Sequence, residues 1–102
     1  MSSSAGPFWA VTNPERPEYH LPTALSAAST SAATMLTVQY AKSQPGITFN
    51  AVEPGFTATD LTAGSGEGRP PEESARTVLR PATLGAAGPT GTCTDETGEP
   101  AW

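Results

Sequence analysis

The chain has 102 residues and a net charge of −5, a length that allows at most one small domain. Leu, Ile, Val and Phe together supply only 14 of the 102 residues, below the roughly 20 % expected of globular domains, so any core must be built from small side chains. The acidic balance argues against nucleic acid or an anionic membrane as partner. No apolar run approaches the roughly 18 residues needed to span a bilayer. The single cysteine, Cys93, excludes an internal disulfide and fits a reducing, cytoplasmic setting.

Residues 1–6 (MSSSAG) are small and polar, either the end of a strand or a Ser-rich leader. With no basic segment and no apolar stretch they do not read as a secretory signal. Residues 7–22 are a loop by composition, with Pro7, Asn13-Pro14, Pro17 and Pro22. Phe8, Trp9 and Val11 would pin that loop to the body. Thr23 is placed to cap a helix over residues 23–44. In that helix Leu25, Ala28, Ala32, Met35, Leu36 and Tyr40 fall on one stripe at 100° per residue. Ser26, Thr30 and Thr37 fall on a second stripe. Lys42 suits the negative end of the helix dipole, and Pro45-Gly46 stops the helix.

Residues 47–52 (ITFNAV) have the composition of a strand buried on both faces of a parallel sheet. A helix running straight into such a strand is the second half of a β-α-β crossover, which predicts an α/β fold. Residues 53–70 form a loop. Its first residues, Glu53-Pro54-Gly55, break the strand at its carboxyl end, where open α/β sheets bind ligands. The stretch 64–68 (GSGEG) reads as a flexible lid; no strand precedes it, so it lacks the context of a phosphate-binding turn. A second helix is predicted over 71–84, with Pro70-Pro71 at its start, Glu72 and Glu73 in its first turn and Arg76 and Arg80 later. Pro81 bends or ends it early. Residues 91–94 (GTCT) are a last short strand, and 95–102 a polar tail closing on Trp102.

Several constellations fail on chemistry. His20 is the only histidine, and metal sites need several convergent ligands, so no metal is predicted. Cys93 has no basic neighbour in sequence to activate it. Ser26 with His20 lacks the elbow that exposes a hydrolase nucleophile. Glu72 and Glu73 suit a helix start better than an acid/base pair.

Five pieces in order, SSSAG, SAASTSAATMLTVQYAK, ITFNAVEPGFTATDL, PPEESARTVLRPATL and GPTGTCTDETGEPAW, resemble the C-terminal half of a short-chain dehydrogenase/reductase of the carbonyl-reductase-like branch. The resemblance covers nearly the full chain. It implies a partial Rossmann-like fold, an NAD(P)-dependent oxidoreductase ancestry on alcohols or ketones, and inherited positions for a Ser, Tyr, Lys catalytic set. The serine position falls on Ser3, with Ser4 as the near alternative. The tyrosine position falls on Ser26 and the lysine position on Thr30. The loop Pro54-Gly55-Phe56-Thr57-Ala58-Thr59-Asp60 matches the family's nicotinamide-side loop, which implies cofactor contacts at Pro54, Gly55, Thr57 and Thr59. The same threonines would also serve as helix caps.

The two substitutions matter chemically. A phenol of pKa near 10 can be lowered by an adjacent ammonium until it protonates a carbonyl at neutral pH. A serine hydroxyl is far too weak an acid, and Thr30 brings no charge. The Gly-rich turn that holds a pyrophosphate in this family is absent from these 102 residues. The resemblance therefore implies a truncated half, a pseudoenzyme inactive as an isolated chain. Two alternatives follow: a complementing half that docks on a separate N-terminal half or related dehydrogenase subunit, and an orphan fragment that does not fold alone.

Overall fold

The structure, a computed structural model, describes residues 1–64 and 67–98. Ser65 and Gly66 of the expected lid, and the end of the tail including Trp102, lie outside the described residues. In chain order it contains α1 (Phe8–Val11), a 3₁₀ turn (Pro17–His20), α2 (Ala24–Ser43) and β1 (Asn50–Val52). A second 3₁₀ turn (Asp60–Thr62), α3 (Pro71–Ala82) and β2 (Thr92–Thr94) follow. The class is α/β: helices around a two-stranded parallel sheet.

The loop expected over residues 7–22 is partly helical. Pro7 stands at the N-cap of α1 and Pro17 at the start of the 3₁₀ turn, where a fixed φ and a missing N–H cost nothing. The Thr12 hydroxyl closes α1 by donating to the Phe8 carbonyl at 2.7 Å. The turn directs Ala10 inward, where it is fully enclosed.

Helix α2 carries the expected bounds to within a residue, but Thr23 makes no side-chain cap. Its orientation reverses the usual amphipathic rule. Leu25, Ala28, Ala32, Met35, Leu36 and Tyr40 all face solvent, whereas Ala27, Thr30, Ser31, Thr34, Thr37 and Val38 are half-buried against the body. The reason is close approach. A Cβ on Gly6 would meet Thr30 Oγ1 at 3.4 Å, and one on Gly91 would meet Ala41 Cβ at 3.2 Å. Small residues dominate this face, and the hydroxyls among them bond across the gap. Ser31 Oγ donates to the Gly6 carbonyl at 2.5 Å, and the Thr34 and Ser2 hydroxyls lie 2.6 Å apart.

The strand expected over 47–52 contracts to β1, and that over 91–94 to β2. Ala51 pairs with Cys93 in the middle of the ladder. Ile47 is exposed rather than buried, because β2 has only three residues to offer as partner. Phe49 is held instead by the Gly91 N–H on its carbonyl at 2.7 Å and by its ring stacked on Tyr40 at 5.6 Å. On its other edge β1 meets Ser2, whose N–H donates to the Val52 carbonyl at 2.7 Å. Helix α3 ends at Ala82, with Pro81 in its last turn. Pro81 has no N–H to give and ends the helix sooner than 84.

The core is correspondingly slight. Ala5, Ala10, Ala51, Val52 and Cys93 are its buried apolar residues, joined by Ser2, Glu18 and Ser74. Among the described residues no large side chain is fully buried. The radius of gyration is 14.2 Å, against about 13 Å for a compact domain of this length.

Candidate functional site at the carboxyl edge of the sheet

Parallel pairing in register ends β1 and β2 side by side, so the next residues, Glu53 and Asp95, emerge together. The Glu53 N–H donates to the Thr94 carbonyl at 2.9 Å and continues the ladder one step. A cavity of about 230 Å³ opens at this edge between Ser3 and Ser4, Trp9 and Arg16, and Glu53, Cys93 and Asp95. Arg16 lies 4.9 Å from the centre of the Trp9 ring and grips the buried Glu18 through two bonds of 3.1 Å.

The charged residues lining the cavity are Glu53, Asp95 and Arg16. Carboxylate oxygens of Glu53, Asp95 and Glu96 lie within 4.8 Å of one another. The Arg69 guanidinium pairs with Glu96 and supplies a cation to this group. Burial pushes the Glu53 carboxyl above its usual range; the Gly55 N–H pulls it down, and the Glu96 and Asp95 charges push it up again. Asp95 goes the other way. Burial alone would raise it, but the Thr97 hydroxyl and the N–H groups of Thr97 and Gly98 hold it low. The Cys93 thiol is pushed up by burial, eased by the Ser2 hydroxyl and raised further by Glu53 and Asp95. It is therefore protonated at neutral pH and a poor nucleophile.

The raised Glu53 gives a prediction with a definite sign. A carboxyl whose folded pKa exceeds its unfolded value costs stability once ionised, and acidification relieves that cost. Glu53→Gln keeps an oxygen for the Gly55 N–H, which sits 2.8 Å from Glu53 Oε1, and removes the charge. The variant is expected to melt about 3 °C higher at pH 7. The gain should shrink to nothing as pH falls through the Glu53 pKa. Thermal melts of both chains across that range check it.

The positions singled out by sequence are only partly brought together. Ser3 lies at the cavity, its hydroxyl accepting from the Ala5 N–H at 3.2 Å. Thr30 lies beneath Gly6, and its hydroxyl is spent on the Ser26 and Ala27 carbonyls at 3.0 and 3.1 Å. Ser26 is exposed one turn away.

The loop after β1 is likewise committed to its own chain. Gly55 has φ +78, and a Cβ there would lie 2.5 Å from an Arg69 nitrogen. The Thr57 hydroxyl lies 3.2 Å from the Gly55 carbonyl and 2.7 Å from the Ser74 hydroxyl. Thr59 and Thr62 form a reciprocal capping box around the second 3₁₀ turn, which is the capping alternative seen in sequence. Arg69 laces the loop shut: the Ala58 N–H donates to its carbonyl and its N–H to the Phe56 carbonyl, both at 2.9 Å. With these donors used and three carboxylates adjacent, the loop does not fit a dinucleotide phosphate as it stands.

Sequence reasoning missed Glu53, Asp95, Glu96 and Arg69 as a group. The available signal was positional: Glu53 and Asp95 each follow a predicted strand, so parallel pairing brings them to one edge. What the fold and site define is a small α/β unit with a cavity at the carboxyl edge of its sheet, into which Glu53, Asp95 and Arg16 bring charge. No protein-family model matches the chain, and no curated protein matches it. Among the described residues no helix is long and apolar enough to cross a membrane.

Proposed function

We propose that this chain is a Rossmann-like half-unit of short-chain dehydrogenase/reductase ancestry, without catalysis of its own. It completes a sheet by presenting the β1 edge to the nucleotide-binding half of an oxidoreductase acting on alcohols or ketones in the cytoplasm. The observation that carries this reading is that, among the described residues, Ser2 supplies the one backbone bond on the outer edge of β1. A short parallel strand with β2 on one side and one backbone bond on the other has the position of an inner strand awaiting a neighbour. Beside that edge runs a groove of about 540 Å³ between Met1, Thr48 and Val52 on one side and Val78 and Pro81 on the other.

In this reading the partner half carries NADP or NAD. Ser3, Ser26 and Thr30 are inherited positions without an acid of useful strength, and Pro54, Gly55, Thr57 and Thr59 shape a loop rather than hold a ligand. Substrate binding and hydride transfer then belong to the assembled sheet.

The test is a ¹⁵N–¹H correlation spectrum of the purified chain with and without excess NADPH, beside an assay of NADPH oxidation with aldehydes and ketones. Dispersed peaks that NADPH leaves in place, and no turnover, are the expected results. Shifts at Gly55–Thr59, or heat-labile turnover, would overturn the proposal.

A further inference from the structure

We infer that the groove between α1 and α2 binds the extended chain of an aliphatic carboxylate, with Lys42 holding its head group. The inference does not rest on the functional reading above.

The groove has a volume of about 420 Å³ and runs between Pro7 and Phe8 on one side and Ser31, Met35, Val38 and Lys42 of α2 on the other. That volume falls within the range of small-molecule pockets, roughly 300–1,000 Å³. Its two large apolar walls are open to water, Phe8 at 81 % exposed and Met35 at 59 %. Covering them is favourable in proportion to the apolar area removed.

Shape selects the occupant. Ser31, Met35, Val38 and Lys42 follow one another at helical spacing, so at 1.5 Å per residue the groove runs about 16 Å along α2. A volume of 420 Å³ over that length leaves a cross-section of about 25 Å², where a helix about 10 Å across would need about 80 Å². An extended peptide would bury N–H and C=O groups without partners. The Gly6 carbonyl already accepts from Ser31, and the Pro7 carbonyl from the Ala10 and Val11 N–H groups. Pro7 has no N–H, and the backbone of α2 bonds within its own helix. A methylene chain makes no such demand.

Charge selects the head group. Lys42 is the only charged residue of α2, and no acidic residue lines the groove. Among the described residues no carboxylate pairs with the Lys42 ammonium. One turn back, the Gln39 carboxamide nitrogen lies 3.7 Å from the Met35 sulfur, a weak acceptor. Two donors therefore stand at the same end of an apolar groove, neither held by an oxygen of the described residues. A carboxylate at the end of an alkyl chain supplies that oxygen.

Decanoate, titrated below its micellar concentration into the ¹⁵N-labelled intact chain, should shift the Phe8, Met35, Val38 and Lys42 amides and saturate. Octanoate, with a shorter chain, should bind about tenfold more weakly. Decanol, with the same chain length and no charge, should bind about fivefold more weakly than decanoate. Lys42→Gln should remove that preference and still take up decanol, while Phe8→Ala, at an exposed position, should weaken both. The absence of saturable shifts at these amides would overturn the inference. So would equal affinity for decanoate and decanol, a preference that survives Lys42→Gln, or shifts spread over the whole chain without saturation, which is detergent-like binding.

Discussion

Replacing Gly68 by alanine is expected to open the loop that follows β1 and to cost about 2–4 kcal/mol. Gly68 has φ +129, a conformation that residues with a Cβ rarely adopt. A Cβ there would also lie 2.7 Å from the Ala58 nitrogen and 2.9 Å from the Thr57 carbonyl carbon. These are backbone atoms with no soft direction in which to yield. The bonds joining Arg69 to Ala58 and Phe56 depend on that close approach, and with them the position of Arg69 over Gly55 and its pairing with Glu96. Hydrogen exchange should show the Ala58 and Arg69 amides losing protection first. Gly64, with nothing within 4 Å of its missing Cβ, is the control: Gly64→Ala should be neutral or slightly stabilising. Unchanged protection at Ala58 in Gly68→Ala would show that the loop is held by something else.

Arg16→Ala should be the second large effect, and its signature is a pH dependence. Glu18 is only 7 % exposed. Burial would raise its carboxyl, but its own backbone N–H, the Arg16 guanidinium and the Ser4 hydroxyl outweigh that and hold it low. A carboxyl depressed in the folded state contributes stability above its unfolded pKa, and that contribution is lost as pH falls through the folded value. Removing Arg16 leaves a buried carboxylate short of two hydrogen bonds and takes the guanidinium off Trp9. Breaking a fully buried pair costs about 3–5 kcal/mol; with Arg16 40 % exposed, about 2 kcal/mol is the fitting figure. That corresponds to a drop in Tm of about 10 °C at pH 7. Wild type and variant should converge as pH falls below the carboxylate range. A deficit that stayed constant with pH would assign the loss to packing on Trp9 instead.

Local composition carried most of the order of elements. Thr23 to Gln44 lacks Pro and Gly, and helix α2 occupies it. Pro70-Pro71 followed by two glutamates opens α3, and Thr59 caps the second 3₁₀ turn. These features depend on residues a few positions apart, so the order of residues along the chain is enough to specify them. The strand lengths did not follow from composition, because ITFNAV is β-prone throughout while a ladder extends only as far as its partner. Nor did the direction in which α2 faces. Periodicity marks a stripe of Leu, Met and Tyr, yet Gly6 and Gly91 bring the helix close to the body, and alanines, hydroxyls and Val38 turn inward.

The site divides the same way. Ser3, singled out through the family resemblance, does line the cavity, whereas Thr57 and Thr59 bond within their own loop. Whether Ser26 and Thr30 reach Ser3, whether Arg69 closes over Gly55, and whether Glu53 meets Asp95 depend on contacts between residues up to 42 positions apart, for which neighbouring residues carry no signal. The amino-acid order sets helix, turn and charge because those are short-range preferences of the backbone. Register, burial and the pairing of charges emerge only when α2, β1 and β2 are brought together in space.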